Sequence, residues 1–191
     1  MKGNVMLVDD IYNQRCVEPG DIYELLPLLY KYASKCSHVT EFGVRSLVST
    51  YALLAARPHT VISYDHIHPD ATGGNLQQAI DAATEAGVTF IFRQEDTLRI
   101  TIEPTDMLFI DTLHTYDQLK QELALHADKV RKYLVFHDTS IDSWGMGGEL
   151  NSFGLWFAIK EFLRDNPNWD VLEKVEYCAG LTVLVKDEFT K

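Results

Sequence analysis

Apolar positions along the chain fall into two alternating rhythms. Short β-branched or aromatic runs read as strands: HVTEFGV at 38–44, TVISYD at 60–65, VTFIFR at 88–93, MLFID at 107–111 and YLVFH at 133–137. The first switches to helical period in SLVSTYALLAA, and the second leads through Gly73-Gly74 into the helix NLQQAIDAATEAG. A charged amphipathic helix is predicted from about 116 to 131, and another over 155–165 after a stretch rich in glycine (Gly145, Gly147, Gly148, Gly154). Upstream, DIYELLPLLYKYASKC at 21–36 carries apolar positions at helical spacing, with Asp21 placed to cap it and Pro27 expected to kink or shift it. The chain ends in two strand-like runs around Ala179-Gly180, which predict an antiparallel hairpin.

Strands that alternate with helices imply βαβ crossovers. The expected fold is therefore α/β, a Rossmann-like three-layer sandwich with a mostly parallel sheet. Continuous apolar runs such as MLFI and YLVF suit strands buried on both faces. At 191 residues and 46% hydrophobic content, one domain over 1–191 is expected, with 1–20 as an N-terminal extension or lid. No apolar run approaches the roughly 20 residues of a membrane span, and the N-terminal MKGNVMLVDD lacks a signal-like apolar stretch. A cytoplasmic protein without a membrane partner is expected. Three widely spaced cysteines (Cys16, Cys36, Cys178) make neither a CxxC pair nor a disulfide framework. A formal net charge of −11 opposes binding to a phosphate backbone, so a small acceptor is expected rather than nucleic acid. Homo-oligomerisation is left open.

Ligands of open α/β sheets bind outside the carboxyl ends of the strands. Glu41, Asp65, Asp96, Asp111 and Asp138 stand at or just beyond those ends. A lone acid after a strand is ordinarily a helix cap or a solvated loop residue; five at successive strand ends argue for a site. Asp65 is placed to accept from both hydroxyls of a ribose. In the turn from Glu41 to Ser46, Gly43 lets a ligand approach the backbone, with Ser46 and Ser49 near the helix start. Leu47 and Val48 occupy positions where the dinucleotide fingerprint needs small residues, which disfavours a pyrophosphate and with it a nicotinamide-dependent oxidoreductase. A ligand with a ribose, an adenine and a cationic amino-acid tail suits the acidic rim better. Glu41 and Asp111 would face its sulfonium and ammonium groups, and Asp96 its adenine amino group.

The densest polar cluster is Ile110-Asp-Thr-Leu-His-Thr-Tyr116. His114 is either a proton acceptor for a hydroxyl substrate or a residue that caps or packs on the following helix. His137-Asp138-Thr139 closes the next strand, and Asp111, Asp138 and His137 together would surround a divalent cation, with oxygen-rich ligation favouring Mg²⁺. His66 and His68 either border the cofactor or are exposed loop imidazoles; His38, His59 and His126 are assigned to structure or surface. Phe153, Trp156, Phe157 and Phe162 are at helical spacing and read as core, whereas Trp144 would wall a substrate pocket.

These residues resemble the class I S-adenosylmethionine-dependent methyltransferases, in particular the branch that includes cephalosporin hydroxylase-like proteins and sugar or macrolide O-methyltransferases. Glu41-Phe-Gly-Val-Arg-Ser-Leu-Val-Ser-Thr50 looks like the first cofactor motif, Ser-Tyr-Asp65 like the ribose acid, and Phe-Ile-Asp111-Thr-Leu-His114 like the fourth-strand motif; Phe-His137-Asp138-Thr139 and Gly180-Leu-Thr-Val-Leu-Val are similar too. The resemblance covers about 19 to 186. It implies a seven-stranded sheet with an antiparallel C-terminal strand, S-adenosylmethionine as cofactor, and in-line methyl transfer to a hydroxyl of a small molecule or sugar. Cofactor contacts are expected at Glu41, Phe42, Gly43, Val44, Ser46, Ser49, Asp65, His66, Asp96, Thr97 and Asp111. Metal-dependent relatives hold Mg²⁺ at the positions of Asp111 and Asp138 and use a base at that of His114. The chain departs from the pattern at Leu47 and Val48, where glycines are common, and at His137, where such relatives often carry Glu. A non-catalytic cofactor-binding domain is the alternative reading.

Overall fold

The structure, a computed structural model, describes residues 7–140 and 154–190. Trp144, Phe153 and the glycines at 145, 147 and 148 lie outside the described residues. Internal contacts divide the chain into two compact units, Met1–Asp96 and Thr97–Lys191.

The first unit contains helices α1 (Val8–Arg15), α2 (Leu26–Ala33), α3 (Val48–Ala55) and α4 (Leu76–Glu85), and strands β1 (His38–Phe42), β2 (Thr60–Asp65) and β3 (Thr89–Gln94). β2 pairs in parallel with β1 and with β3. Every residue of α3 after Val48 is buried, because α1 and α2 pack over it. Val8 and Ile11 are buried on α1, which packs against α3 and α4. Of the two expected effects of Pro27, a kink or a shift, the structure shows the shift. The helix starts at Leu26 after a 3₁₀ turn over Tyr23–Leu25, so Pro27 falls in the first turn, where a missing N–H costs nothing. Asn75 caps α4 by accepting from the N–H of Gln78, and Ala79, Ala82 and Ala83 form its buried face.

The second unit contains β4 (Thr105–Ile110), α5 (Tyr116–His126), β5 (Val130–His137), α6 (Leu155–Asp165), β6 (Trp169–Val175) and β7 (Leu181–Lys186). β4 and β5 are parallel, and β7 runs antiparallel to both β5 and β6, as the terminal hairpin required. All six residues of β4 are buried, which needs cover on both faces of the strand. The amphipathic helix stops at His126, five residues short of the expected end, because a 3₁₀ turn over Ala127–Lys129 intervenes and β5 starts early at Val130. In hydrogen-bonded order the strands read β3-β2-β1-β4-β5-β7-β6, a seven-stranded Rossmann-like sheet with β7 antiparallel. No described helix is long and apolar enough to cross a membrane.

Candidate active site

In the first unit, the turn from β1 into α3 is held by its own neighbours. Asp65 ends β2, and its Oδ2 accepts from the backbone N–H groups of Val44 (2.8 Å) and Arg45 (2.9 Å), while Oδ1 accepts from Ile67 N–H at 2.9 Å. An ionised carboxylate has about four acceptor positions. Three are taken, which leaves one acceptor position on Oδ1. Thr72 Oγ also donates to the carbonyl of Arg45. Leu47 takes the place of a glycine with φ of +69°. Its side chain is fully buried, and a Cβ on Gly74 would meet its Cδ1 at 3.2 Å.

Glu41 is placed differently from the expectation that it faces a cationic ligand. It is 0% exposed and accepts from Ser49 Oγ (2.6 Å), Thr50 Oγ (2.8 Å) and Ser63 Oγ (2.6 Å). The carboxylate thus pins the first turn of α3 to β1 and β2. For the same reason Ser49 turns inward rather than toward a ligand. The ring of Phe42 is buried edge-on against Tyr64, and Val44 is also buried, so only their backbones can border a site. Gly43 and Ser46 are half-buried, and the His66 imidazole is mostly exposed, 3.4 Å from Asp65 Oδ1. Asp96 is exposed at the end of this unit.

In the second unit, the carboxyl ends of β4 and β5 bring Asp111, His114, His137 and Asp138 together. His114 Nε2 lies 2.8 Å from Asp138 Oδ2 and 3.3 Å from Asp111 Oδ1. His137 Nδ1 lies 3.3 Å from each of those same oxygens, and its Nε2 is 2.9 Å from the carbonyl of Cys178. Asp138 adopts φ of +57°, a left-handed conformation that Asp tolerates better than most residues. Hydrogen bonds to Asp111 and Asp138 push His114 up to about 9. Burial pulls His137 down, but its bonds to the same acids outweigh this and raise it to about 10. Both acids are held below the ordinary carboxylate range, burial being overcome by the two imidazoles. The cluster is therefore two carboxylates and two imidazoles of offsetting charge.

A residue that the motifs did not single out supports this cluster. Glu122 on α5 is fully buried and accepts from Thr97 Oγ (2.7 Å), Thr112 Oγ (3.0 Å) and Gln118 Nε2 (2.9 Å). Thr97 is thereby turned into the unit, contrary to its expected contact with a cofactor, and Thr112 anchors the loop that begins at Asp111. The signal was legible: Glu122 falls on the buried face of α5 with Leu119, Leu123 and His126. The role of the Cys178 carbonyl had no such signal, since any residue supplies a carbonyl.

This strand order, with acids and imidazoles closing the parallel strands and β7 reversed, defines a Rossmann-like fold of the class I methyltransferase type. The chain is similar in fold to a Staphylococcus aureus protein assigned as a caffeoyl-CoA O-methyltransferase, with a TM-score of 0.65 and 14% identity over 94% of this chain and 91% of that one. It is also similar to the O-methyltransferase of Bacillus cereus solved with SAH (TM-score 0.60, 15% identity, 94% and 90% of the two chains). A third is the Streptomyces achromogenes O-methyltransferase TomG, of tomaymycin synthesis, solved with SAM (TM-score 0.58, 17% identity, 86% and 80%). No protein-family model and no curated protein matches the chain.

Proposed function

We propose that this chain is an S-adenosylmethionine-dependent O-methyltransferase acting on a hydroxyl of a small molecule or sugar. The observation that carries the reading is the hydrogen-bonded set Asp111–His114–Asp138 at the ends of β4 and β5, on a fold shared with O-methyltransferases. The strand ends of the first unit would hold the cofactor through Asp65, the backbone at Gly43 and Val44, Ser46 and His66, with Asp96 toward the adenine. Asp65 also argues against the oxidoreductase. It consumes the successive N–H groups of Val44 and Arg45 that a pyrophosphate would require.

In the transfer, an acceptor oxygen attacks the methyl carbon in line with the departing sulfur, and the hydroxyl proton passes to His114 in its neutral form, which gains population as pH rises toward about 9. The imidazolium that results is the form that Asp111 and Asp138 stabilise. The remaining contribution is orientation of the nucleophile against the methyl group. A divalent ion fits the cluster to the extent that two carboxylate oxygens and an imidazole nitrogen converge at Asp111, Asp138 and His137. Bound there, it would supply a lowered pKa for a ligated hydroxyl. A net charge of −11 supports a small acceptor over nucleic acid, and three cysteines outside any disulfide support a reducing, cytoplasmic setting.

Calorimetry with S-adenosylhomocysteine and with NAD tests the cofactor, and radiolabelled methyl transfer to a panel of catechols, phenols and sugars tests the reaction. Micromolar S-adenosylhomocysteine binding is expected, together with transfer that His114→Ala lowers about 100-fold or more. Binding of NAD alone would overturn the reading, and cofactor binding with no transfer to any acceptor would favour the non-catalytic domain.

A further inference from the structure

The strand order ends on one side at β3 and on the other at β6, and the two edges are built differently. β6 carries Asp170, Glu173 and Lys174, and its register on β7 breaks between Val171 and Glu173. Charges and an irregular ladder keep an exposed edge from pairing with another chain. β3 is less guarded. Thr89-Phe-Ile-Phe-Arg-Gln94 pairs with β2 in unbroken register over all six residues, has no proline or acid, and carries Arg93 as its one charge.

The alternation of the ladder decides which backbone groups this edge offers. Thr89 N–H donates to the His59 carbonyl and Glu95 N–H to the Asp65 carbonyl, each at 3.0 Å, so the odd-numbered residues turn toward β2. In a parallel pair a residue turns its N–H and C=O to the same side. Phe90, Phe92 and Gln94 therefore aim theirs outward, where no strand of the described residues meets them. Side chains alternate as well. Phe90 and Phe92 share a half-buried face, with the His68 ring edge-on to Phe92 at 5.5 Å. Thr89, Ile91 and Arg93 share the exposed face, Ile91 being 36% exposed. About Ile91 the apolar pattern Phe-Ile-Phe reads the same in both directions.

We propose that β3 is a dimer interface: two copies of this chain join antiparallel through their β3 edges, about a two-fold axis at Ile91, into one continuous sheet. The strand's own pattern selects a second copy as the partner. An antiparallel ladder sets outward-turned residues opposite one another, which places the axis on a residue rather than between two. With the axis at Ile91, Phe90 faces the partner's Phe92 and Phe92 the partner's Phe90. Each is an aromatic cross-strand pair that exchanges both backbone hydrogen bonds, while Ile91 meets its own copy on the other face. An axis at Phe92 would set Ile91 against the partner's Arg93 and Phe90 against the partner's Gln94, replacing apolar matches by polar mismatches. An axis at Phe90 would bring Val88 opposite the partner's Phe92, and Val88 N–H is already committed to the Ala83 carbonyl at 2.9 Å. The contact is isologous, so it closes at two copies. Both edges left over are β6, whose charges stop further growth. α4, which packs against β3, leaves Ile80 37% exposed and adds apolar surface next to the strand.

Sedimentation velocity of the full chain over about 1–200 µM, a range that brackets the affinity of a small interface, should show the mass doubling as concentration rises. Amide exchange reads the register. Across that range the Phe90 and Phe92 amides should slow about tenfold or more, and the Ile91 amide, turned toward β2 in either state, by less than about threefold. Ile91→Lys places like charges face to face on the axis and should raise the dissociation constant about tenfold or more, whereas Val171→Lys on β6 should leave it within about twofold. Should Ile91→Lys fail to fold, Ile91→Cys decides. Facing Cα atoms of a non-hydrogen-bonded pair lie about 4.5 Å apart, within disulfide range, so mild oxidation should yield a dimer joined at position 91. A monomer at every concentration, which would leave β3 to a strand of another protein, would overturn the proposal. So would a dimer that Ile91→Lys leaves intact, equal cross-linking through Leu172→Cys on β6, or exchange at Phe90 and Phe92 that ignores concentration. None of these measurements uses the cofactor, so their failure is separable from failure of the methyltransferase reading.

Discussion

Replacing Glu41 with glutamine should destabilise the chain without directly damaging a ligand contact. The carboxylate is 0% exposed and accepts from three hydroxyls at 2.6–2.8 Å. Hydrogen bonds to a charged group contribute about 1.5–3 kcal/mol each. Glutamine keeps one acceptor oxygen and turns the other into a donor, so at least one hydroxyl must reverse and all three lose charge assistance. That loss comes to about 2–4 kcal/mol, partly offset because an amide is easier to bury than a carboxylate. A net cost of about 2 kcal/mol corresponds to a fall of roughly 4–8 °C in Tm for a chain of this size. Urea denaturation and thermal unfolding measure it, and Ser63→Ala in a double-mutant cycle should show a coupling of about 1 kcal/mol or more. An unchanged Tm together with a tenfold loss of S-adenosylhomocysteine affinity would refute the reasoning, because it would mean that Glu41 faces the ligand.

Leu47 gives a prediction with an unusual sign. At φ of +69°, Leu47→Gly should be about 1 kcal/mol less destabilising than Leu47→Ala, since both lose the buried side chain but only glycine escapes the left-handed cost; urea midpoints of the two variants decide it. Gly180→Ala, with its Cβ 2.3 Å from Ser140 Oγ and φ of +90°, should cost about 2–5 kcal/mol by the same measurement. Glu122→Gln should loosen the loop that begins at Asp111, seen as faster amide exchange at Thr112 and Leu113, while the exchange of β4 amides stays slow. His126 is buried, which lowers its pKa from 6.5. The unfolded chain therefore binds this proton more readily, so the stabilising contribution is complete above pH 6.5 and is lost as pH falls toward the folded value, at up to about 1.4 kcal/mol per pH unit. Urea denaturation at pH 7.5 and 5.5 should show a smaller difference in His126→Asn than in the unsubstituted chain.

Local pattern was enough for most of the architecture. TVISYD and the helix at 155–165 end where the rhythm of the sequence ends them, and the β6–β7 hairpin turns at Ala179-Gly180. Less legible was what depends on a residue's place within an element: Pro27 shifts the helix start and so sits harmlessly in a first turn, and α5 ends early because β5 begins at Val130. The acids at the strand ends were legible as a set, but their individual roles were not. Glu41 and Asp65 both follow apolar strands, yet Glu41 is sealed among hydroxyls and Asp65 holds the neighbouring turn with one acceptor position to spare.

By itself, then, the sequence determined the succession of strands and helices, and with it the end of the sheet where chemistry belongs, because side-chain period and turn residues act over a few positions. Only the tertiary structure decided which polar groups face one another. Thr97 meets Glu122, Ser63 meets Glu41, and His137 meets a carbonyl 41 residues away. Such pairings depend on strand register and side-chain direction, which are set when the elements pack, and no spacing along the chain encodes them.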